Sequence, residues 1–168
     1  MKLAITGPMC SGKTTIANII QNYDDEYSIY SFGGKVKQVA TDLFGMKDKD
    51  RTLLINIAKK MKEIDNDIWI KYVMRNINND KCIIDDLRFQ NEINHLSGWK
   101  IISLTTPKEI RIERLKKCYP TNYEDHIRNI DDSSELCNIQ LPKDTIYIDT
   151  SIPFVDLKNK VLNIIKCV

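Results

Sequence analysis

The run Gly7-Pro8-Met9-Cys10-Ser11-Gly12-Lys13-Thr14 constrains this chain more than any other segment. It has the form G-x-x-x-x-G-K-[ST], and both of its flanks suit that form. Ahead of it, Lys2-Leu3-Ala4-Ile5-Thr6 is a short apolar run that suits a buried parallel strand. Behind it, Thr14-Thr15-Ile16-Ala17-Asn18-Ile19-Ile20 carries apolar residues at helical spacing. Gly7 and Gly12 let the backbone bend so that its N–H groups converge on one point. The helix that follows aims the positive end of its dipole at the same point. Such a turn holds a phosphate. Lys13 reaches the β- and γ-phosphates of a bound nucleotide, and the Thr14 hydroxyl is placed to ligate Mg²⁺. The expected nucleotide contacts are Gly7, Cys10, Ser11, Gly12, Lys13, Thr14 and Thr15.

The 168 residues fit a single domain, 1–168, able to bury a real core. A composition of 42% hydrophobic and 29% charged residues is that of an ordinary soluble globular protein. A formal net charge of +2 is too small for a protein that coats nucleic acid by charge, so no nucleic-acid polymer is expected as a partner. No apolar run approaches a membrane span, and the glycine-rich loop occupies the place of a signal peptide, so no membrane is expected either. The five cysteines, at 10, 82, 118, 137 and 167, are odd in number and include no C-x-x-C pair. That pattern predicts free thiols in a reducing, cytoplasmic compartment rather than a zinc site or disulfides. The sequence leaves a homodimer open.

Strand-like runs recur at 3–6, 27–32, 81–85, 100–104 and 145–149. Helix-like stretches separate them at about 13–22, 34–43, 51–63, 67–78, 89–96, 107–117 and 154–166. This alternation predicts an α/β fold, a five-stranded parallel sheet with helices on both faces. In such sheets ligands bind beyond the carboxyl ends of the strands. The polar segment at about 118–135 interrupts the rhythm and reads as a short lid or a surface loop, the lid being favoured because phosphoryl transfer must exclude water.

Phosphoryl transfer needs positioning and positive charge around the moving group, and three clusters can supply them. In Cys82-Ile83-Ile84-Asp85-Asp86-Leu87-Arg88-Phe89 an apolar strand runs into carboxylates, the pattern of a strand that helps hold Mg²⁺. Adjacent carboxylates on a strand face opposite ways and so differ in role. Asp86 is expected to face the acceptor and the metal, with Asp85 as the second metal candidate. Arg88 is placed to grip a phosphate by its planar fork. In Gly33-Gly34-Lys35-Val36-Lys37, Lys37 lies off the apolar stripe of its helix, so it reads either as a phosphate ligand or as a solvated lysine. Arg111 and Arg114 are three residues apart and share a helix face, either as catalytic cations on the lid side or as part of a basic exposed helix. Trp69 reads as core, and His95 and His126 are isolated.

No D-x-x-G or N-K-x-D segment follows the loop as a GTPase switch requires, and the chain is short for a motor ATPase. Size and loop position favour a small-molecule kinase. The ordered set Gly7–Thr14, Ser31-Phe32-Gly33-Gly34-Lys35-Val36-Lys37, Ile64-Asp65-Asn66-Asp67-Ile68-Trp69, Ile84-Asp85-Asp86-Leu87-Arg88-Phe89-Gln90-Asn91-Glu92 and Ser134-Glu135 resembles the deoxynucleoside monophosphate kinases of phages and large DNA viruses. Animal phosphomevalonate kinase is a remote relative of the same kind. The resemblance implies a nucleoside-monophosphate-kinase-like fold and transfer of the γ-phosphate of ATP to a dNMP with Mg²⁺. It implies that Lys37 and Arg88 hold the acceptor phosphate, that Asp86 orients the attacking oxygen or the metal, and that Arg111 and Arg114 serve the donor side. Leu53-Leu54-Ile55 and Ala58-Lys59 depart from that family's pattern where the base is read, so the base is left open. The alternatives are a kinase with another acceptor, of the phosphomevalonate or sugar-acid type, or a nucleotide-binding module with little turnover.

Overall fold

A computed structural model describes residues 1–120, 123–128 and 139–167. Its elements in chain order are β1 (Lys2–Thr6), α1 (Lys13–Tyr23), β2 (Ser28–Tyr30), α2 (Phe32–Phe44), α3 (Arg51–Ile64), α4 (Ile68–Asn76), β3 (Cys82–Leu87), α5 (Gln90–Asn94), β4 (Lys100–Thr105), α6 (Lys108–Cys118), α7 (Tyr123–Arg128), β5 (Ile146–Asp149) and α8 (Phe154–Cys167).

The strands form one five-stranded sheet in the order β2-β3-β1-β4-β5, every neighbouring pair parallel. Alternation along the strands sends side chains to two separate cores. Leu3, Ile5, Ile83, Ile102, Leu104 and Ile148 meet Ile16, Ile19 and Ile20 of α1 and Leu157 and Val161 of α8 on one face. Ala4, Cys82, Ile84, Leu87 and Ile101 meet Phe32, Ile70, Val73, Leu96 and Trp99 on the other. Each core leans on a helical apolar stripe, which is where most helical stability in a domain originates. A third cluster, Val36, Ala40, Ile57 and Trp69, joins α2, α3 and α4 at the carboxyl end of the sheet.

The sheet layout agrees with the sequence expectation, and two boundaries differ for a shared reason. β2 stops at Tyr30, and α2 begins at Phe32, where the sequence pattern continued the strand. Gly33 and Gly34 therefore lie in the first turn of a helix rather than in a loop. β3 runs on through both aspartates to Leu87. Its register against β1 shifts there: Ala4 pairs with Ile84, but Thr6 pairs with Leu87. Two residues forward on β1 match three on β3, so Asp85-Asp86 carries the extra residue of a bulge. The bulge turns Asp86 toward the amides of Phe32 and Gly33 and draws them into a helical turn.

Half of the lid-like segment, residues 121–122 and 129–135, and Ser134-Glu135 with it, lies outside the described residues. The short helix α7, inside that segment, was not expected. Among the described residues Cys10, Cys82 and Cys118 are free, and no helix is long and apolar enough to cross a membrane.

Candidate active site

The loop between β1 and α1 is built so that glycine alone fits at two places. Gly7 has φ +147°, and a Cβ there would stand 2.8 Å from Ser11 Oγ and 2.9 Å from Leu104 Cβ. Gly12 has φ +95°, a conformation side chains rarely adopt. Between them Cys10 holds φ +60° without being glycine. The loop is tied down from behind. Thr150 Oγ1 donates to Ser11 O at 2.7 Å. Arg114 donates through Nη1 to Cys10 O at 3.3 Å and through Nη2 to Thr150 O at 2.5 Å. Ser11 is fully buried, and its Oγ has no hydrogen-bond partner. Lys13 Nζ donates to Gly7 O at 2.6 Å and to Pro8 O at 3.0 Å, lying along the rim of the loop. The glycine-lined concavity, with the α1 N-terminus behind it, fits a polyphosphate.

Beside it, Thr14 Oγ1 donates to Asp85 Oδ2 at 3.1 Å. Burial, and next the charge of Asp86, push the Asp85 carboxyl up, while Thr14, Lys37 and Lys13 pull it back. A hydroxyl and a carboxylate together at a phosphate loop form the oxygen donor set that suits Mg²⁺. Among the described residues no cluster of three or more His, Cys, Asp or Glu could hold a metal alone, so phosphate oxygens and water would complete the coordination.

Asp86 is placed differently from the sequence expectation. Its Oδ2 accepts from Ser31 Oγ at 2.6 Å and from Gly33 N–H at 2.8 Å, and its Oδ1 accepts from Phe32 N–H at 2.8 Å. The carboxylate caps the α2 N-terminus across the sheet, where first-turn amides have no helical partner. It touches the site wall but is committed to positioning α2. The two carboxylates do point opposite ways, Asp85 to Thr14 at the phosphate loop and Asp86 to the start of α2.

A cavity of about 610 Å³ opens between the phosphate loop and the α2–α3 pair. Lys13, Thr14 and Asp85 line it, and Phe32, Val36, Leu54, Trp69 and Phe89 give it apolar walls. Lys37, Lys49, Arg51, Lys62 and Arg88 line the rest with positive charge. Lys62 Nζ sits 4.3 Å from the Phe89 ring centroid, bridging α3 to the loop after β3. Trp69 is core, 6% exposed, with Nε1 donating to Ala58 O, yet its edge reaches the cavity.

The structure thus brings Lys13, Thr14, Lys37, Asp85, Asp86 and Arg88 to one cavity. Arg111 and Arg114 are not on its described wall. Arg111 is only 7% exposed on α6, and Arg114 binds backbone carbonyls on the far side of the phosphate loop. Arg114 therefore braces the phosphate loop. Thr15 is exposed on the first turn of α1.

Sequence reasoning named neither Lys49 nor Arg51 among the site residues, and it missed Glu92. The Oε2 of Glu92 accepts from Arg88 N–H at 2.7 Å and Phe89 N–H at 2.9 Å, and the residue is 6% exposed. Burial pushes its carboxyl up to about 7, against the pull of those two amides. A glutamate three residues past a helix start signals a capping box. Phe89 at the cap position hid that signal.

Among solved structures the chain resembles TT1252 from Thermus thermophilus, at 13% identity over 99% of this chain and 96% of that one, TM-score 0.67. It also resembles the deoxyadenosine kinase from M. mycoides with bound dCTP, at 16% identity over all of both chains, TM-score 0.58. A shikimate kinase from Aquifex aeolicus matches at 17% identity over 99% of this chain and 97% of that one, TM-score 0.54. These identities carry the fold, that of P-loop kinases, and leave substrates aside. No curated protein matches the sequence. A family model described as an AAA domain matches residues 3–135, and on that match the chain belongs to the AAA domain family.

Proposed function

We propose that this protein transfers the γ-phosphate of ATP to the phosphate of a deoxynucleoside monophosphate. The observation that carries the reading is one cavity that brings cations and apolar and aromatic walls together with the phosphate-loop residues Lys13 and Thr14. A nucleotide acceptor has the same two parts, an anion and a flat base. Its volume of about 610 Å³ lies in the range of small-molecule sites. The ordered motifs from Gly7 to Glu92 support the same assignment.

The backbone of residues 7–15 would cradle the donor phosphates, and Lys13 would swing from its own loop carbonyls onto the β- and γ-phosphates. Thr14 and Asp85 would hold Mg²⁺, which supplies neutralisation of charge on the β- and γ-oxygens when bound. Lys37 and Arg88 would hold the acceptor phosphate in line with the donor. Asp86 keeps α2, and with it Lys37, in place. Glu92 does the same for the loop of Arg88, and Arg114 for the phosphate loop. An acceptor phosphate is already ionised near neutral pH, so the site needs no strong base.

Product analysis tests the reading. With ATP·Mg²⁺ and each dNMP in turn, ion-exchange separation should show a deoxynucleoside diphosphate and ADP in equal amounts for at least one base. ADP formed with every dNMP left intact would overturn it.

A further inference from the structure

Two cations at the α2–α3 joint have no role in the reading above. Lys49 lies in the joint and Arg51 opens α3, and both line the cavity. Arg51 Nη2 stands 3.7 Å from Met9 Sδ, so the guanidinium spans from α3 to the phosphate loop. The Lys49 ammonium lies 5.4 Å from the Tyr119 ring centroid. Burial, then the charges of Arg51, Lys37 and Arg88, make it harder to keep protonated, with Cys10 acting weakly the other way. Four positive groups from α2, α3, the joint between them and the loop after β3 therefore converge on one stretch of wall. Among the described residues Lys37, Lys49 and Arg51 enter no salt bridge.

Lys37 and Lys49 are exposed and Arg51 and Arg88 half-buried, so gathering these like charges costs repulsion and, for the half-buried pair, desolvation. The apolar contacts that hold the joint, through Val36, Ala40, Ile57 and Trp69, do not require it. A bound anion would offset the cost, and the number of cations speaks to its charge. A carboxylate offers one charge and two oxygens. A phosphate monoester offers close to two charges and three acceptor oxygens arranged to meet donors from several sides.

We propose that Lys49 and Arg51 complete, with Lys37 and Arg88, a four-cation cradle for the acceptor's phosphate, so that the acceptor is a dianionic phosphate ester and not an alcohol bearing a carboxylate. The proposal rests on reading this cavity as the acceptor site. It adds two binding residues and separates this chain's acceptor from a sugar acid. Arg51, nearest the phosphate loop, sits at the border of the donor and acceptor halves.

Calorimetric titration in saturating ADP·Mg²⁺ tests it, using the dNMPs, phosphomevalonate, shikimate and gluconate as probes. For wild type, Lys49→Gln, Arg51→Gln and Lys49→Arg, the affinity for ADP and the melting temperature are read in parallel. The expected result is tenfold or greater weakening of the phosphate-bearing probe in both glutamine variants, retention in Lys49→Arg, and unchanged ADP affinity in the Lys49 variants. Equal binding of a dNMP to wild type and both glutamine variants would overturn the cradle while leaving the dNMP reading intact. Binding of phosphomevalonate but no dNMP, with the same losses, would support the cradle and overturn the nucleotide reading. Binding of shikimate or gluconate with no phosphate ester bound would overturn both. A uniform fall in melting temperature and ADP affinity in the glutamine variants, unrescued by Lys49→Arg, would assign these residues to structure and overturn the proposal.

Discussion

The Thr14 hydroxyl donates to Asp85 Oδ2 at 3.1 Å, joining the first turn of α1 to the bulge of β3 across 71 residues of sequence. If the two share one Mg²⁺, removing either removes the same service. Thr14→Ala and Asp85→Asn should each lower turnover roughly 10²–10³-fold, the scale of one lost charge-stabilising group. The double variant should cost little more than either single one, because groups acting as a unit are not additive. Steady-state kinetics across a Mg²⁺ titration checks this. Fully additive losses would separate their roles.

Asp86 gives a prediction about stability before one about rate. Asp86→Ala leaves Ser31 Oγ and the Phe32 and Gly33 amides without their acceptor. The cost should be about 2 kcal/mol, the scale of a lost cap plus a buried donor left bare. Urea unfolding measures it, and Asp86→Asn should lose less. The acceptor KM should rise as α2 loosens, with ATP affinity held. Turnover lost at full stability would make Asp86 a catalytic group after all.

Glu92 predicts a pH dependence whose sign follows from burial. Its carboxyl is raised to about 7 in the folded protein from an ordinary 4.5. Below pH 4.5 it is protonated in both states. Between 4.5 and about 7 the folded protein keeps a proton that the unfolded chain has released, so stability contributed by the neutral form is lost as pH rises. The loss is on the order of 3 kcal/mol and is complete above the folded value. Glu92→Gln has no such titration. Its single carbonyl oxygen can still accept from Arg88 and Phe89, since both bonds land on one oxygen. Urea unfolding of the two proteins from pH 5 to 8 should show stability moving in favour of the glutamine form. A constant difference across that range would contradict the account.

Arg88→Ala should raise the acceptor KM and lower kcat while ATP affinity stays near wild type, because Arg88 lines the cavity from the segment after β3 and not from the phosphate loop. Lys13→Ala should lower kcat on the order of 10³-fold or more. Separate donor and acceptor saturation curves distinguish the two effects. Loss of ATP binding in Arg88→Ala would remove the acceptor-side assignment.

The sheet and the phosphate loop were legible because they rest on local signals. Alternating apolar runs mark the strands, and Gly7, Gly12 and Lys13 stand at fixed offsets. What escaped depends on contacts distant in sequence. Phe32 looks like the end of a strand until Asp86, 54 residues away, takes its amide. Asp85 and Asp86 announce themselves as a pair, but which one meets Thr14 at the phosphate loop depends on a bulge set by register against β1. Lys49 and Arg51 carry no motif of their own, and only the fold of α3 against α2 brings them to the cavity. The helix face of Arg114 left a catalytic cation and an exposed basic residue open, and its bonds to Cys10 and Thr150 needed the loop's full conformation.

The most direct test of the central claim is ADP release from ATP·Mg²⁺ measured against a panel of dNMPs, NMPs and phosphomevalonate. The account predicts strong stimulation by one or more dNMPs, abolished by Lys13→Ala. A flat panel from a protein that still binds ATP would leave the phosphate loop correctly read and contradict the acceptor.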